Sequence, residues 1–422
     1  MDEVLQSLTK YNNWGSKPAL PTPEPLGYRR SLYLDKVEKY LNNPLAKVLM
    51  GQRRTGKSYI LRQIIQDLQK KVSPQNTFYL NKEFLEFDAI KSYQDLNTLV
   101  ASYKKRYQPQ GKIYYFFDEI QEVVGWEKIV NALTQNFTEP CEVFITGSNS
   151  KMLSTELSTY LSGRFVQFEV FPFVFNEYCN FTKLPKTKES YLKFLQTGGL
   201  PELFKLQDRE VQVNYVSSLT DTILLNDIVK KFSVRDPALL GSLFKFVSDN
   251  IGNLSSPNTI VGFLKSAKVN TNYETVSNYL TYLSQALLIH EVDRFDIKGK
   301  ALLTGAKKYY LNDLSFKNYL FSSFDVGLSK HLENAIYIYY RQQGYKVYVG
   351  TVGNLEVDFI LEKSSDKKYV QVCYNLTDDK VISREFTPLE SIKDNYEKIV
   401  VGLDDTSYGN KNGIKHLLAW EL

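Results

Sequence analysis

The sequence is poor in the two residue types that most often build metal sites or disulfide frameworks. Its 422 residues include only three cysteines and three histidines. The cysteines, Cys141, Cys179 and Cys373, lie far apart and form no C-x-x-C pair. This distribution argues against a zinc site and against a disulfide scaffold. Because unpaired cysteines fit a reducing compartment, we expect a cytoplasmic protein.

Long hydrophobic runs and a strong net charge are also missing. No apolar stretch approaches the roughly 20 residues that a membrane-spanning helix needs. The polar start Met1-Asp2-Glu3 lacks the pattern of a secretory signal, so we expect no membrane partner. The formal net charge of +5 permits nucleic-acid binding but does not argue for it. With 43% apolar and 23% charged residues, the chain has the composition of a globular protein with roughly two to four domains.

The first motif with specific chemistry lies between a short apolar run (47–50) and a helical pattern (60–68). Residues 51–58 read GQRRTGKS, which matches G-x-x-x-x-G-K-[ST] in full. In this motif backbone N–H groups surround phosphates, the lysine contacts the β- and γ-phosphates, and the serine hydroxyl binds Mg²⁺. The sequence therefore predicts an ATP–Mg²⁺ site, with Lys57 on the phosphates and Ser58 on the metal. The other candidate nucleotide-binding residues are Gly51, Gln52, Arg53, Arg54, Thr55, Gly56 and Tyr59.

A second chemical signal is the acidic pair that follows the apolar run at residues 113–117. A wholly apolar strand is buried on both faces, so Asp118 and Glu119 should emerge at the carboxyl edge of a parallel sheet, where ligands bind. We predict that Asp118 supports the Mg²⁺ shell and that Glu119 orients or deprotonates the attacking water. Alone, such a pair would be a helix cap or a solvated turn. The P-loop upstream favours the catalytic interpretation.

The alternation of short apolar runs with helical patterns predicts an α/β fold with a parallel sheet covered on both faces. Downstream, three helical patterns and a hairpin predict a winged helix-turn-helix, and a further helix and strands predict a C-terminal α/β domain. We expect an extended, proline-rich lead-in (1–27), a P-loop ATPase core (28–180), a helical lid (181–238), a winged helix (239–311) and the C-terminal domain (312–422).

The order of P-loop, intervening strand and acidic pair resembles that of the additional-strand ATPases, which include the AAA superfamily. The amino-acid sequence in and around the motifs resembles that of one prokaryotic family of AAA-type ATPases, the archaeal-bacterial ATPase group with an uncharacterised C-terminal domain. This resemblance implies ATP hydrolysis by a homo-oligomer, for example a hexamer. The matching pieces are GQRRTGKS (51–58), FFDEIQ (116–121), ITGSNSKMLS (145–154), LSGRF (161–165), GGLPE (198–202), YYLND (309–313), LENAIY (332–337) and EVDFI (356–360).

The resemblance also implies further site residues. In such ATPases a polar residue ending the next strand senses the γ-phosphate, and Ser148 and Asn149 are the candidates here, with an ordinary turn as the alternative. Family members place an arginine that reaches a neighbour's γ-phosphate where this chain has Arg164, and the alternative is a surface arginine. Pro201 lies in a turn similar to one with which signalling ATPases contact the base; a structural turn is the alternative.

In this family the C-terminal domain resembles the PD-(D/E)xK nuclease fold. That chemistry needs two acids and then acid-x-Lys, which bind Mg²⁺ and assist the water. Glu333 and Asp358 fit the first two positions, but the third reads Gln371-Val-Cys373. An amide is a weaker Mg²⁺ ligand than a carboxylate, and a thiol cannot act as the lysine would. We expect a nuclease-like shape that has lost cleavage; an active site with another base is the alternative.

The predicted winged helix offers a second partner surface. Its third helix has a polar start that can bond phosphates or bases. The stretch 239–311 carries eight basic and five acidic residues. Its net charge of +3 is only weak evidence for nucleic-acid binding. Contact with duplex or branched DNA and a protein–protein spacer role both stay open. The polar residues are Asn272, Tyr273, Thr275, Ser277 and Asn278.

Three functions remain compatible with the sequence. The first, which we expect, is an oligomeric ATPase that couples ATP turnover to DNA binding or remodelling. The second is a signalling or assembly switch driven by ATP binding. The third is an ATP-gated nuclease, against which Gln371 and Cys373 argue.

Overall fold

A computed structural model of the chain describes residues 2–12, 14, 26–148, 161, 163–321, 327–376 and 378–422. The chain divides into two compact units, residues 1–170 and 171–422. Within the described ranges, no helix is both long enough and apolar enough to cross a membrane.

The first unit is built on a five-stranded parallel sheet. Its strand order is β2-β3-β4-β1-β5, and each neighbouring pair is parallel. The strand β4 therefore lies between the strand before the P-loop and the strand before the acidic pair, whereas β2, which intervenes in the chain, lies at the edge of the sheet. An inserted strand is the arrangement that the resemblance to the additional-strand ATPases implies. The strands are β1 (Ala46–Met50), β2 (Thr77–Asn81), β3 (Ile113–Asp118), β4 (Cys141–Gly147) and β5 (Phe165–Glu169).

Helices cover both faces of this sheet because alternate strand residues point into two separate apolar clusters. Val48 and Phe117 pack in one cluster with residues of α1, α4 and α5, and Leu49 and Phe116 pack in the other with residues of α2 and α3. Short 3-10 helices occupy Pro74–Asn76, Leu85–Phe87 and Ile120–Glu122. The α-helices are α1 (Asp2–Asn12), α2 (Ser31–Glu38), α3 (Lys57–Gln69), α4 (Tyr93–Tyr107) and α5 (Trp126–Thr134).

The N-terminal residues differ from the predicted extended lead-in, because residues 2–12 form helix α1. Leu5 and Leu8, three residues apart, are both buried by this helix, which explains why it forms against the sheet. The side chain of Asn12 makes the hydrogen bonds to the edge strand β2 that a neighbouring strand would otherwise make. It donates to the Tyr79 carbonyl at 2.8 Å and accepts from the Tyr79 N–H at 2.5 Å. The Trp14 indole donates to the Thr77 carbonyl at 2.7 Å.

The second unit contains a nine-stranded mixed sheet of order β13-β14-β12-β11-β10-β9-β7-β8-β6. Its strands are β6 (Leu254–Ser255), β7 (Ile289–Asp296), β8 (Ala301–Leu311), β9 (Lys346–Val352), β10 (Leu355–Lys363), β11 (Asp366–Cys373), β12 (Glu397–Gly402), β13 (Asn410–Lys411) and β14 (Ile414–Leu418).

Helices of the second unit precede the sheet strands and lie between them. A π-helical segment, Ile223–Val229, joins α8 to α9, and 3-10 helices occupy Pro201–Lys205 and Ala419–Glu421. The α-helices are α6 (Phe175–Thr182), α7 (Lys188–Thr197), α8 (Arg209–Thr222), α9 (Lys230–Phe232), α10 (Pro237–Asp249), α11 (Pro257–Ser266), α12 (Tyr273–Gln285), α13 (Ser315–Leu320), α14 (Leu328–Gln342) and α15 (Asp379–Glu390).

The hairpin β7–β8 follows the three helices α10 to α12, as the winged-helix pattern predicts. It is not a free-standing wing, because β7 also pairs in parallel with β9, with Arg294 opposite Val349. One apolar cluster extends from Phe171 to Trp420. The boundary predicted after residue 311 therefore falls inside a continuous sheet, and the division of this unit into lid, winged helix and nuclease-like domain stays a prediction.

We predict that Asn12→Ala lowers the free energy of unfolding by about 1–3 kcal/mol, because it leaves the Tyr79 N–H and carbonyl of a buried edge without partners. Urea denaturation of the whole chain measures this change. The matched control is Gln6→Ala on the exposed face of the same helix, which should change stability by less than about 0.5 kcal/mol. Equal effects of the two substitutions would contradict the role assigned to Asn12.

Candidate functional site

The P-loop has a backbone that only a glycine-containing sequence can adopt. A Cβ atom at Gly51 would lie 2.2 Å from the Val170 carbonyl oxygen, so no other residue fits there. Gly56 stands at the N-cap of α3 with φ of 94°, in the left-handed region that favours glycine. The loop therefore turns sharply between β1 and α3, and it directs the first turn of α3 toward the carboxyl edge of the sheet.

The ammonium of Lys57 lies inside this loop. Its Nζ donates to the carbonyl oxygens of Gly51 at 2.9 Å and of Gln52 at 3.1 Å. The same Nζ is 3.5 Å from Glu119 Oε1. The side chain is only 4% exposed. The lysine of the P-loop and the second acid of the acidic pair are therefore neighbours, as the sequence predicts for a shared site.

Asp118 is fully buried at the end of β3 and accepts hydrogen bonds from three side chains. Tyr79, in the middle of β2, and Asn81, at its end, donate to its Oδ2 at 2.9 Å and 3.2 Å. Thr146 of β4 donates to its Oδ1, and the Ser58 hydroxyl interacts with the same carboxyl and acts to lower its pKa. Burial raises the pKa of Asp118, although the bond from Thr146 opposes the shift. The structure thus brings together the two residues predicted to hold Mg²⁺.

Glu119 is positioned by its backbone as well as by its neighbours. Its φ of 51° lies in the left-handed region, which is uncommon outside glycine and points to a constrained position. Its N–H donates to the Thr146 hydroxyl at 2.8 Å, and Gln121 donates to its carboxylate. Burial acts to raise the pKa of Glu119, but the charge of Lys57 and the bond from Gln121 hold it below its usual value. The side chain is therefore an ionised carboxylate able to accept a proton.

Three residues of this cluster were not among the predicted site residues. Thr146 connects the two acids, since its hydroxyl donates to Asp118 and accepts from the Glu119 N–H. Tyr79 and Asn81 bond to Asp118 from the neighbouring strand. Asn81 ends β2 and Thr146 is the last residue but one of β4, and polar residues at the carboxyl ends of strands are a sequence signal that marks them as candidates. Tyr79, in the middle of β2, carries no such signal.

The remaining site residues predicted for the first unit differ in their burial and in their contacts. Ser148 is buried, with 3% exposure, directly after β4, whereas Asn149 lies outside the described residues. Arg53 pairs with Glu83 at 3.0 Å. The side chain of Arg164 is exposed just before β5, which leaves it accessible to another molecule. The sensor and neighbour-contacting roles of these residues stay predictions.

In the second unit, Pro201 begins a 3-10 helix after a glycine pair that is fixed by Asp313. The Gly199 N–H donates to Asp313 Oδ2 at 2.7 Å, and Gly198 has φ of 85°. Burial raises the pKa of Asp313 to about 6. Two of the quoted sequence pieces, 198–202 and 309–313, thus meet at one buried carboxyl group. The contact of Pro201 with a base stays a prediction.

The residues predicted for a vestigial nuclease site lie near one another. Glu333 of α14 and Asp358 of β10 both contact the ammonium of Lys308, at 2.9 Å and 3.5 Å. Gln371 accepts from the Asp358 N–H at 3.2 Å. Burial raises the pKa of the Cys373 thiol to about 12, so the thiol is protonated near neutral pH and cannot serve as a base. Among the described residues, no group of three or more His, Cys, Asp or Glu side chains is arranged to hold a metal ion.

Comparisons with known proteins agree with the P-loop geometry. Residues 43–179 match a family described as an AAA domain, and residues 188–330 match a domain of unknown function, DUF8612. An uncharacterized protein of Haemophilus influenzae is 35% identical over 377 residues, which cover 88% of this chain and 92% of that protein. An uncharacterized protein of Methanocaldococcus jannaschii is 31% identical over 349 residues, which cover 79% and 75% of the two chains.

A solved structure with similarity to the chain is a Walker-type ATPase of Pyrococcus abyssi. It is 15% identical, with a TM-score of 0.49, and the match covers 71% of this chain and 98% of that one.

We predict that Thr146→Val slows ATP turnover about 10- to 100-fold, the usual effect of removing a group that orients a metal or catalytic side chain. Nucleotide affinity should change less than the turnover does, since the P-loop is untouched. Steady-state ATPase assays and nucleotide titrations measure both. Thr146→Ser should restore most of the rate because it keeps the hydroxyl.

The matched control for this prediction is Thr134→Val, since the Thr134 hydroxyl bonds only to carbonyl groups of its own helix at 3.0 and 3.1 Å. This control should leave turnover unchanged. Full activity in folded Thr146→Val would contradict the bridging role of Thr146.

Proposed function

Because this chain carries an AAA domain and belongs to the same family as the uncharacterized Haemophilus influenzae protein, we propose that it binds ATP with Mg²⁺ and hydrolyses it. One observation carries the proposal. The P-loop residue Lys57 contacts the carboxylate of Glu119, and Ser58 interacts with that of Asp118. Both acids lie at the end of a different strand from the one that precedes the P-loop. A glycine-rich turn with a purely structural role would not need two buried acids at the same edge of the sheet.

The donor set of this cluster fits Mg²⁺. Magnesium prefers oxygen ligands and is usually held by one or two protein groups together with phosphate oxygens. Ser58 supplies a hydroxyl, and Asp118 supplies a carboxylate with which that hydroxyl interacts. Bound there, Mg²⁺ would neutralise charge on the β- and γ-phosphate oxygens.

Different residues of the chain have different roles in hydrolysis. Lys57 contacts the β- and γ-phosphates, and the N–H groups of the P-loop hold the phosphate chain. Glu119 orients a water molecule and accepts its proton as the water oxygen bonds to the γ-phosphorus. The bond from the γ-phosphorus to the bridging oxygen breaks, and ADP leaves with that oxygen.

We further propose that the active form is a homo-oligomer in which Arg164 contacts the γ-phosphate bound by a neighbouring copy. The exposure of Arg164 at the start of β5 supports this idea, since a side chain that acts on another subunit must be accessible. An arginine in that position stabilises charge that develops during phosphoryl transfer.

We also propose that the second unit binds DNA. Helix α12 exposes Tyr273, and Lys298 and Lys300 are exposed where the hairpin turns. The accessible positive charge is smaller than the net charge of the sequence suggests, because Lys308 is buried. Lys307 pairs with two acids on β7. We therefore expect contact with duplex or branched DNA to be weak and to involve few phosphates.

We predict that Glu119→Gln keeps nucleotide affinity within a few fold and lowers ATP turnover at least about 100-fold, because removing a general base costs that much. Lys57→Ala should instead lose nucleotide binding, since its ammonium is the charge that contacts the phosphates. Fluorescent-nucleotide titration and phosphate release separate the two effects. Glu122→Gln, at an exposed position three residues further along, is the matched control and should behave as wild type.

We predict that duplex or branched DNA raises the ATPase rate and that the effect fades with added salt. Replacing both Lys298 and Lys300 with alanine should reduce the slope of log affinity against log salt by about 2, roughly one per lost phosphate contact. Lys307→Ala is the control, because Lys307 is already paired with acids. ATP-dependent assembly with slow turnover and no response to any DNA would support the assembly switch instead.

A further inference from the structure

The described part of the second unit contains a buried ammonium group surrounded by three carboxylates. The Nζ of Lys308 is 2.7 Å from Glu356 Oε1, 2.9 Å from Glu333 Oε1 and 3.5 Å from Asp358 Oδ1. Lys308 comes from β8, Glu333 from α14, and the other two acids from β10. Lys308 is only 1% exposed and Glu333 only 4%, so these two groups are internal, whereas the Glu356 side chain is 39% exposed and connects the cluster to the surface.

The carboxylate oxygens in this cluster are already occupied by donors from the protein. Tyr310 donates to Glu333 Oε1 at 2.6 Å, and Lys330 donates to Glu333 Oε2 at 2.9 Å. The Val372 N–H donates to Asp358 Oδ2 at 2.9 Å. Together with Lys308, these donors give each carboxylate oxygen of Glu333 and Asp358 at least one hydrogen bond.

We propose that the ammonium of Lys308 is the resident cation of this cluster and takes the position that Mg²⁺ holds in the nucleases this domain resembles. Mg²⁺ binds oxygen ligands at about 2.1 Å. An ion bound to both Glu333 Oε1 and Asp358 Oδ1 would therefore lie within about 5 Å of the ammonium in a buried site, where like charges repel strongly. The cluster does not fit a divalent cation while Lys308 is present.

The charge of Lys308 is stable in this position. Burial alone would lower the pKa of a lysine, but the carboxylates of Glu333, Asp358 and Glu356 raise the pKa of Lys308 instead. Removing one partner of such a buried pair leaves an uncompensated charge. The neighbouring carboxylates thus favour the charged form of the lysine.

The amide at the third nuclease position is consistent with a site that has no metal. Gln371 accepts from the Asp358 N–H at 3.2 Å and donates to Glu385 at 3.0 Å. A carboxylate in its place would be a stronger metal ligand. The Gln371 amide is instead used to connect β10 to α15.

The cluster has a structural consequence that does not depend on the ATPase proposal. Lys308 ties the hairpin strand β8 to helix α14 and strand β10, and Lys330 extends the connection to the Gly252 carbonyl at 3.0 Å. A divalent metal would normally be removable by a chelator, whereas this cation belongs to the chain.

Terbium luminescence tests the proposal without any ATPase measurement, because tyrosines such as Tyr310 can sensitise Tb³⁺ bound at Glu333. Five proteins are titrated with Tb³⁺ in the absence of nucleotide: wild type, Lys308→Ala, Lys308→Met, Glu333→Gln, and Lys308→Ala combined with Glu333→Gln. Lys265→Ala, at an exposed position on α11, is the control. Circular dichroism establishes that each variant is folded.

We expect Lys308→Ala and Lys308→Met each to gain one Tb³⁺ site at Glu333 and Asp358. The affinity of this site for Tb³⁺ should be at least tenfold higher than the affinity of wild type at the same residues. The gained site should disappear when Glu333→Gln is added, and Lys265→Ala should match wild type. Millimolar Mn²⁺ should also raise the melting temperature of Lys308→Ala more than that of wild type, because the ion replaces the lost charge.

Three results would overturn the proposal. One is a Tb³⁺ site in wild type that Glu333→Gln abolishes, and this comparison remains valid even if the Lys308 variants do not fold. Another is a folded Lys308→Ala or Lys308→Met that gains no site. The third is Mg²⁺-dependent nicking of DNA by the wild-type chain that disappears in Asp358→Ala.

Discussion

The proposed active site depends on the hydrogen bonds that the Thr146 hydroxyl makes to Asp118 and to the N–H of Glu119. These bonds exist because β4 is inserted between β1 and β3. Leu49 of β1 is opposite Thr146, and Phe117 of β3 is opposite Ile145, so Asp118 and Thr146 follow side by side. The P-loop and the acidic pair, about 60 residues apart in the chain, meet because this register aligns the carboxyl ends of three parallel strands.

The motifs with short, fixed spacing could be predicted from the sequence. The P-loop and the acidic pair required only local pattern and the general rule that ligands bind at the carboxyl edge of a parallel sheet. The insertion of β4 between their two strands was implied only by the resemblance to the additional-strand ATPases. The partners of Asp118 were missed for a physical reason. Tyr79, Asn81 and Thr146 become neighbours of that carboxylate through strand order and register, which a single sequence does not specify.

The same limitation explains the differences in the rest of the fold. Helix α1 forms because Leu5 and Leu8 are buried and Asn12 satisfies the edge of β2, and all of these contacts are non-local. The parallel pairing of β7 with β9 joins a hairpin to strands more than 50 residues later. Lys308 looked like one basic residue of a wing, whereas pairing with acids from α14 and β10 makes it an internal cation.

Buried charged groups organise the second unit at two places. Asp313 holds the glycine turn at residues 198–199, and Lys308 holds α14 and β10 against the hairpin. In both places the charged group meets partners from distant parts of the chain, so each side chain stabilises only the complete arrangement. Removing one partner from such a site is expected to cost several kcal/mol, more than the loss of an exposed ion pair.

The central claim is that Ser58 and Asp118 share one magnesium ion with the triphosphate held by Lys57. A crystal structure of Glu119→Gln with Mn²⁺ and ATP tests it most directly, because the anomalous signal of manganese locates the ion. The account predicts one ion bonded to the Ser58 hydroxyl and to β- and γ-phosphate oxygens, with Asp118 next to it and Lys57 on the phosphates. An ion or nucleotide bound elsewhere, with Asp118 still bonded only to protein groups, would contradict the account.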